Sequence, residues 1–261
     1  MDQSSFKFKS IVPYLSERFQ VWRFGPLAFI LYLGYLLCVD FNPVKPSYLI
    51  VLVLLILSFR LLDDLFDLQF DRVDYPERTL SKTKDPRPFI IFLAVLYLLL
   101  AAFLILEKTY VSLSILLATM LFLCAWYIKF RYFFNSRMVH SLVILIKYPL
   151  FLYILAPGLA RIEIPVLLYL TFLLFEIQDD PELRLNAAAG GIQTISLLVY
   201  LSLLFLLLSL PSKSVASWLV LFVSFILQLS VLTKKNGSTA CYTFFNIFLL
   251  FGFLSARYFL E

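Results

Sequence analysis

Apolar runs recur along this 261-residue chain, and they constrain its fold more than any other feature. A helix that crosses a lipid bilayer needs roughly 20 consecutive, mostly apolar residues. Marking the runs between charged residues and Pro or Gly breaks gives candidate spans at residues 24–39, 48–70, 89–106, 111–128, 138–157, 165–177, 192–210, 215–232 and 239–259. The sequence therefore predicts an all-α, polytopic membrane protein, a bundle of about nine transmembrane helices that forms a single domain over residues 1–261.

The composition agrees with a membrane protein and argues against a soluble domain. Hydrophobic residues make up 62% of the chain and charged residues 15%, and the mean hydropathy is +0.91. Soluble domains are about half apolar and about a quarter charged. The 28 Phe and 15 Tyr residues suit lipid contact and the headgroup region.

The distribution of basic residues predicts the orientation. Most of the 22 Lys and Arg residues fall in the N-terminal tail and in the even-numbered loops between the candidate spans. The positive-inside rule places that face in the cytoplasm, so we expect a cytoplasmic N-terminus and, for a bacterial protein, the inner membrane. Within the tail, basic residues such as Arg18 alternate with apolar ones, which predicts either a segment lying in the membrane interface or an ordinary polar tail.

An acidic stripe ends the second candidate span. Asp63, Asp67 and Asp71 recur every four residues, which on an α-helix stacks them along one face. Three like charges at the end of a span are costly unless cations neutralise them. Carboxylate oxygens without nearby His or Cys are hard ligands, so Mg²⁺ is the natural ion. The alternative is a solvated helix end.

Basic residues follow the stripe at once, at Arg72, Arg78, Lys82, Lys84 and Arg87. Positive charge beside a metal-carboxylate cluster suits a ligand that carries phosphate. Arg72 is adjacent to the stripe and has the best case, whereas Lys84 and Arg87 are explained by topology alone.

A second acidic segment ends the sixth candidate span, on the same predicted membrane face. Glu176 and Asp179 are spaced i, i+3 and can face one ligand, and Pro181 is expected to end the helix. This pair could hold a second Mg²⁺, as in sites that clamp both sides of a phosphoryl group.

Three other polar residues lie in or near the spans. Lys147 is in the fifth span and needs a partner, either an acid or a diphosphate. Arg60 precedes Asp63 and Asp64 by one helical turn, so a local ion pair explains it. His140, the only histidine, is expected to be a satisfied polar residue rather than a catalytic base.

The segment DDLFDLQFDRVDYPERTLSK, residues 63–82, resembles the first signature of the UbiA superfamily of intramembrane prenyltransferases, N-x-x-x-D-x-x-x-D. Asp63 stands where that family usually has Asn, and Asp67 and Asp71 match its aspartates. The usual continuation is matched by Arg72, Pro76, Arg78 and Ser81.

Two further segments are similar to the family. EIQDD followed by AGGIQTISL is similar to its second signature, with Glu176 in place of the first Asp, Asp179 matching the second, and Leu183 where a third acid is usual. WYIKFRYF is similar to a segment of the family's fourth helix in which a Lys faces the diphosphate, and this Lys corresponds to Lys129.

The resemblance implies nine helices and an Mg²⁺-dependent enzyme. Such an enzyme moves a prenyl group from an allylic diphosphate to a hydrophobic, typically aromatic acceptor. The implied metal ligands are Asp63, Asp67, Asp71, Glu176 and Asp179. The implied catalytic residues are Asp67, Asp71 and Asp179, and the diphosphate would be bound by Arg72, Arg78 and Lys129. Lys147, which needs a partner within its span, is a further candidate diphosphate ligand. The expected partners are the prenyl diphosphate, the lipophilic acceptor and the bilayer, with no nucleic acid; the acceptor, the chain length and the oligomeric state are left open.

Other functions fit part of the pattern. A terpene cyclase of the same fold would let a double bond of the substrate capture the cation, and the altered second signature favours it. DDLFD also matches the DDxxD of soluble isoprenyl diphosphate synthases, whose fold the spans exclude. The motif of CDP-alcohol phosphotransferases is absent. A cation-binding transporter is a third possibility, although the acids lie at one end of the spans rather than near the midplane.

Overall fold

The computed structural model describes residues 10–39, 44–107, 109–134, 136–158 and 161–180, with a few single positions beyond. Every regular element within these ranges is helical. The last three candidate spans, 192–210, 215–232 and 239–259, lie almost wholly outside the described residues. The all-helical class is therefore confirmed for the described part of the chain, and the count of nine helices stays a prediction.

The helices follow one another closely. They are α1 (Ile11–Arg18), α2 (Val21–Cys38), α3 (Ser47–Phe66), α4 (Leu68–Asp74), α5 (Thr79–Lys82), α6 (Arg87–Leu106), α7 (Tyr110–Ala125), a π-helical turn (Trp126–Phe130), α8 (Arg131–Phe134), α9 (Arg137–Leu145), α10 (Lys147–Leu155) and α11 (Glu163–Asp179).

Three helical segments within the described ranges are long and apolar enough to cross a membrane. They are Arg87–Leu106, Tyr110–Phe134 and Arg137–Leu155. The first of them, α6, buries one stripe formed by Phe89, Leu93, Leu96, Leu100 and Leu104. Its other faces are also apolar and exposed, as at Ile90, Ile91, Val95, Leu98 and Leu99. A helix that is apolar all round needs lipid or protein on every side, which supports membrane character.

Helix α3 packs against α6. Its core face is fully buried at Leu52, Leu55 and Phe59. The hydroxyl of Ser58, also fully buried, donates to the Leu54 carbonyl oxygen at 2.7 Å and so satisfies itself within the helix. Charged residues enter α3 only in its last two turns, which is where its apolar environment ends.

Two compact units can be distinguished along the chain. One comprises Met1–Phe29 and Lys45–Ser114, and the other comprises Ile30–Val44 and Ile115–Glu261. The first acidic segment belongs to the first unit and the second acidic segment to the second. The single UbiA-like domain over residues 1–261 stays a prediction.

Three of the expected spans differ in detail from the observed helices. The span expected at 48–70 ends as a regular helix at Phe66, and α4 begins after a bend at Asp67. The span expected at 138–157 is divided between α9 and α10 by Ile146. The span expected at 111–128 runs further, through a π-helical turn, to Phe134. Local hydropathy cannot register such breaks, because apolar residues continue across them.

Candidate functional site

Asp63, Asp67 and Asp71 lie at the junction of α3 and α4. The Asp67 N–H donates to the Asp63 carbonyl oxygen at 2.9 Å, and the Asp71 N–H donates to the Asp67 carbonyl oxygen at 2.8 Å. The three residues are therefore one helical turn apart, as the four-residue period predicts. The backbone of Asp67 has φ −84° and ψ −2°, which bends the axis at the middle member of the stripe.

Asp63 is the most buried of the three carboxylates at this junction. Asp63 is 7% exposed, Asp67 is half-buried, and the Asp71 side chain is 14% exposed. Among the described residues, no group of three or more His, Cys, Asp or Glu side chains is arranged to hold a metal ion. Mg²⁺ is commonly bound through only one or two carboxylates, with water and substrate phosphate completing its shell. The hard oxygen donors of Asp63 and Asp67 fit that requirement.

The neighbouring carboxylate, Asp64, has a different environment. The Arg18 Nε donates to its Oδ2 at 2.9 Å, and the Arg18 Nη2 is paired with its Oδ1. The Tyr14 hydroxyl donates to Oδ2 at 2.9 Å, and the Arg60 Nε lies 3.4 Å from Oδ1. Asp64 is only 5% exposed, so two guanidinium groups and a phenol compensate one buried charge. The local ion pair expected for Arg60 is confirmed, with Asp64 as its partner.

The Tyr14 phenol is held in its neutral form. Burial, followed by the negative charge of Asp64, raises the pKa of Tyr14 well above its ordinary value. The protonated hydroxyl is the form that can donate to the carboxylate. Because successive residues on a helix project about 100° apart, Asp64 and Asp63 leave α3 in different directions. Asp64 thus forms a buried ion-pair network, and Asp63 stays with the acidic stripe.

Sequence reasoning missed this network. Asp64 was not among the expected site residues, and Arg18 was assigned to the membrane interface or to a polar tail. Arg18 lies 46 residues before Asp64 in the chain, and no local periodicity links residues at that separation. The available signal was the charge itself, because a carboxylate in an apolar helix requires a cation from somewhere.

The loop after α4 folds back on the stripe. The Arg78 Nη1 donates to the Asp71 Oδ2 at 2.8 Å, and its guanidinium lies 3.7 Å from the centroid of the Tyr75 ring. Arg72 is exposed, and its Nη2 donates to the Thr83 carbonyl oxygen at 3.0 Å. Of the expected diphosphate ligands in this unit, Arg78 is therefore adjacent to the acidic stripe, and Arg72 braces the far end of the same loop.

In the second unit, Lys129 is exposed and lies in the π-helical turn Trp126–Phe130. Single π-helical turns within α-helices are rare, and a large share of those that exist lie at functional sites. The indole N–H of Trp126 donates to the Nδ1 of His140 at 3.0 Å, which confirms His140 as a satisfied polar residue. Lys147, at the start of α10, is 6% exposed, with its Nζ 5.6 Å from the Tyr148 ring centroid.

The second acidic segment lies at the end of α11. The helix runs through Glu176 and Asp179, so both are on helical backbone at the expected spacing, and it ends before Pro181 as expected. Glu176 is half-buried, and the side chain of Asp179 lies outside the described residues. Leu183, at the position where the resemblance predicts a third acid, is 2% exposed.

Comparisons with protein-family models, with curated proteins and with solved structures gave no match. The function is therefore inferred from the residues of this chain and from the resemblance of its signature segments.

Proposed function

We propose that the chain is an Mg²⁺-dependent intramembrane prenyltransferase of the UbiA type. It transfers a prenyl group from an allylic diphosphate to a hydrophobic, aromatic acceptor. The observation that carries the proposal is the junction of α3 and α4, where Asp63, Asp67 and Asp71 follow one another at single helical turns and Arg78 pairs with the last of them. This arrangement combines hard oxygen donors with a guanidinium at the end of an apolar helix.

The donor set suits a diphosphate substrate. Asp63 and Asp67 are the carboxylates proposed to hold Mg²⁺, and Asp71 joins them when Arg78 turns to the substrate. When bound, Mg²⁺ supplies positive charge that screens the leaving diphosphate. A guanidinium can form two parallel hydrogen bonds to phosphate oxygens. The Arg78 Nη1 lies 2.8 Å from the Asp71 Oδ2, and Arg78 is proposed to exchange this carboxylate for the diphosphate when substrate binds.

The chemistry proposed for this site is ionisation followed by capture. The allylic C–O bond breaks, and its electron pair leaves with the diphosphate, whose charge Arg78 and Arg72 offset. The resulting allylic cation is stabilised by aromatic faces. The acceptor ring attacks the cation, forms a carbon–carbon bond and loses a proton.

In the second unit, Glu176 and Asp179 are proposed to hold a second Mg²⁺, with Lys129 and Lys147 as further diphosphate ligands. The π-helical turn around Lys129 supports its assignment as a diphosphate ligand, because such turns are frequent at functional sites. Both acidic segments and the N-terminus are proposed to face the cytoplasm, in a bacterial inner membrane.

The test is transfer by membranes that contain the wild-type protein or Asp67→Ala. Membranes are incubated with farnesyl or geranylgeranyl diphosphate, Mg²⁺ and a lipid extract as the acceptor source, and prenylated products are identified by mass spectrometry. We expect products with the wild type and none with Asp67→Ala, at equal insertion. Asp85→Ala is the matched control, because Asp85 is in the same loop, is about half exposed and contacts Arg87. An Asp67→Ala protein with full activity would overturn the proposal.

A terpene cyclase is the second candidate, and the buried Leu183 favours it. An apolar side chain in place of an acid changes the second signature, and a changed site can give a changed product. Incubation with the prenyl diphosphate and no acceptor separates the two reactions. A cyclic hydrocarbon indicates a cyclase, and inertness without acceptor indicates a transferase. Cation flux in proteoliposomes, without diphosphate chemistry, would instead indicate a transporter.

A further inference from the structure

Helix α1 contacts its surroundings at three points, on α3, on α6 and on the loop that follows the acidic stripe. Tyr14 and Arg18 bind Asp64 on α3. The Tyr14 ring also meets Phe89 of α6 edge to face, with centroids 5.3 Å apart. The third attachment is Glu17, whose Oε2 accepts the Thr79 backbone N–H at 2.9 Å and the Thr79 hydroxyl at 2.5 Å. Side chains within two turns of α1 thus reach α3, α6 and the loop that holds Arg78.

The contact of Glu17 with Thr79 fixes the backbone beside Arg78. Thr79 is the first residue of α5, and the first N–H groups of a helix have no partner within it. Arg78, at the N-cap position, gives α5 no side-chain cap. Glu17 supplies the acceptor from 62 residues earlier in the chain. Since Thr79 is bound through both its backbone and its hydroxyl, the direction in which Arg78 leaves the backbone is set.

We propose that Glu17 is a positioning residue, which holds Thr79 so that the Arg78 guanidinium faces Asp71 and the diphosphate. The inference rests on the proposed function, because it assigns Glu17 a part in binding that substrate. Without Glu17, Arg78 keeps its contacts with Asp71 and the Tyr75 ring but loses its anchored backbone, so more of its ordering takes place when the ligand binds. That ordering weakens the affinity for a diphosphate.

The sign of the effect separates positioning from electrostatics. Glu17 is an anion near a proposed anion site, so removing its charge alone strengthens diphosphate binding. Loss of positioning has the opposite effect. Both hydrogen bonds from Thr79 go to the same oxygen, and a glutamine offers one carbonyl oxygen in that place. Glu17→Gln therefore keeps the two hydrogen bonds and loses only the charge.

The experiment measures the binding of inorganic pyrophosphate, in the presence of Mg²⁺, to the full-length protein in lipid nanodiscs by calorimetry. We expect Glu17→Ala to bind about tenfold more weakly than the wild type, and Glu17→Gln to bind within about twofold of it. In the double variant Glu17→Ala/Arg78→Ala, the first change should have little further effect, because it acts through Arg78. Glu77→Ala is the matched control, since Glu77 is an exposed acid in the same loop.

Thr79→Val gives a second test if Glu17→Ala does not fold. It removes the hydroxyl donor and keeps the backbone N–H, and we expect binding about threefold weaker. Equal or stronger binding by Glu17→Ala, or by Thr79→Val in its place, overturns the inference and leaves the proposed function standing. Equal weakening by Glu17→Gln and Glu17→Ala also overturns it, because Glu17→Gln keeps both hydrogen bonds to Thr79 and should therefore keep Arg78 in position. If the wild type itself does not bind pyrophosphate, the proposed function fails, and the role of Glu17 fails with it.

Discussion

The two acidic segments of this protein are similar in composition and different in their surroundings. At the junction of α3 and α4, arginines from three separate parts of the chain reach the carboxylates, as Arg18, Arg60 and Arg78. At the end of α11, the contact seen at Asp180 is local, since its Oδ1 accepts the Leu183 N–H at 3.3 Å. Charge at the first segment is thus compensated over long chain distances, and the second segment includes a short-range hydrogen bond between Asp180 and Leu183. At the first segment, these ion pairs join helices that are far apart in the chain, because Arg18 of α1 pairs with Asp64 of α3.

The largest expected difference between the segments is in activity. Asp67→Asn keeps the shape of the side chain and removes its charge, so we expect prenyl transfer to fall about 1,000-fold. Glu176→Gln is expected to reduce transfer about tenfold, because Leu183 stands where the resemblance places a further acid. Initial rates at saturating Mg²⁺ would measure both. Equal losses of transfer would mean that the two segments contribute equally to activity, which would contradict the expected difference between them.

The next difference is in stability. Asp64→Ala leaves two buried or half-buried guanidinium groups without their carboxylate, so we expect a loss of about 3–5 kcal/mol in the free energy of unfolding. Asp180→Ala removes the hydrogen bond from the Leu183 N–H and should cost about 1 kcal/mol. Denaturant titration in detergent micelles compares the two variants. A small effect at Asp64 would show that the ion-pair network does not hold α1 in place.

Tyr14→Phe tests one hydrogen bond of that network and its dependence on pH. Losing the donor to a charged acceptor should cost about 1.5–3 kcal/mol at pH 8. The pKa of Tyr14 is raised in the folded protein, so its contribution is fully present below pH about 10 and is lost as the pH rises further. The difference in melting temperature between the wild type and Tyr14→Phe should therefore become smaller from pH 9 to about pH 11. A gap that is constant over this range would contradict the assignment.

The smallest effect is expected at an ion pair of the same unit that lies in a more exposed position. Lys45 Nζ and Glu107 Oε2 are 2.5 Å apart, and each side chain is about a third exposed. A double-mutant cycle with Lys45→Ala and Glu107→Ala should give a coupling of about 0.5 kcal/mol, which salt should reduce further. A coupling comparable with that of Asp64 would mean that burial does not explain the difference between these ion pairs.

Helix α6, which is apolar all round, was predictable almost to the residue. The expected span 89–106 and the observed Arg87–Leu106 agree at their C-terminal ends and differ by two residues at the start. Charged residues mark both ends of α6, and the sequence alone therefore predicts where this helix begins and ends. The bend at Asp67 was not predicted, because hydrogen bonds at four-residue spacing continue through it while the axis changes direction.

The candidate site was predictable in part. The register of Asp63, Asp67 and Asp71 follows from the period of the helix, and the pairing of Arg78 with Asp71 joins residues only seven apart. The ties of α1 to Asp64 and Thr79 join residues 46 and 62 apart. Their partners carry no pattern that distinguishes them from other polar residues of the tail and loop.

The sequence by itself determined the helical class, the apolar segments and the spacing of the acidic stripe, because each of these depends on residues within a few helical turns. Only the tertiary structure decided that Asp64 forms a buried ion-pair network with Arg18 and Arg60. Its neighbour Asp63 lies one helical turn before Asp67, in the register of the acidic stripe. The physical reason is that a buried carboxylate must be compensated by cations in space, and the chain can supply those cations from any distance along its length.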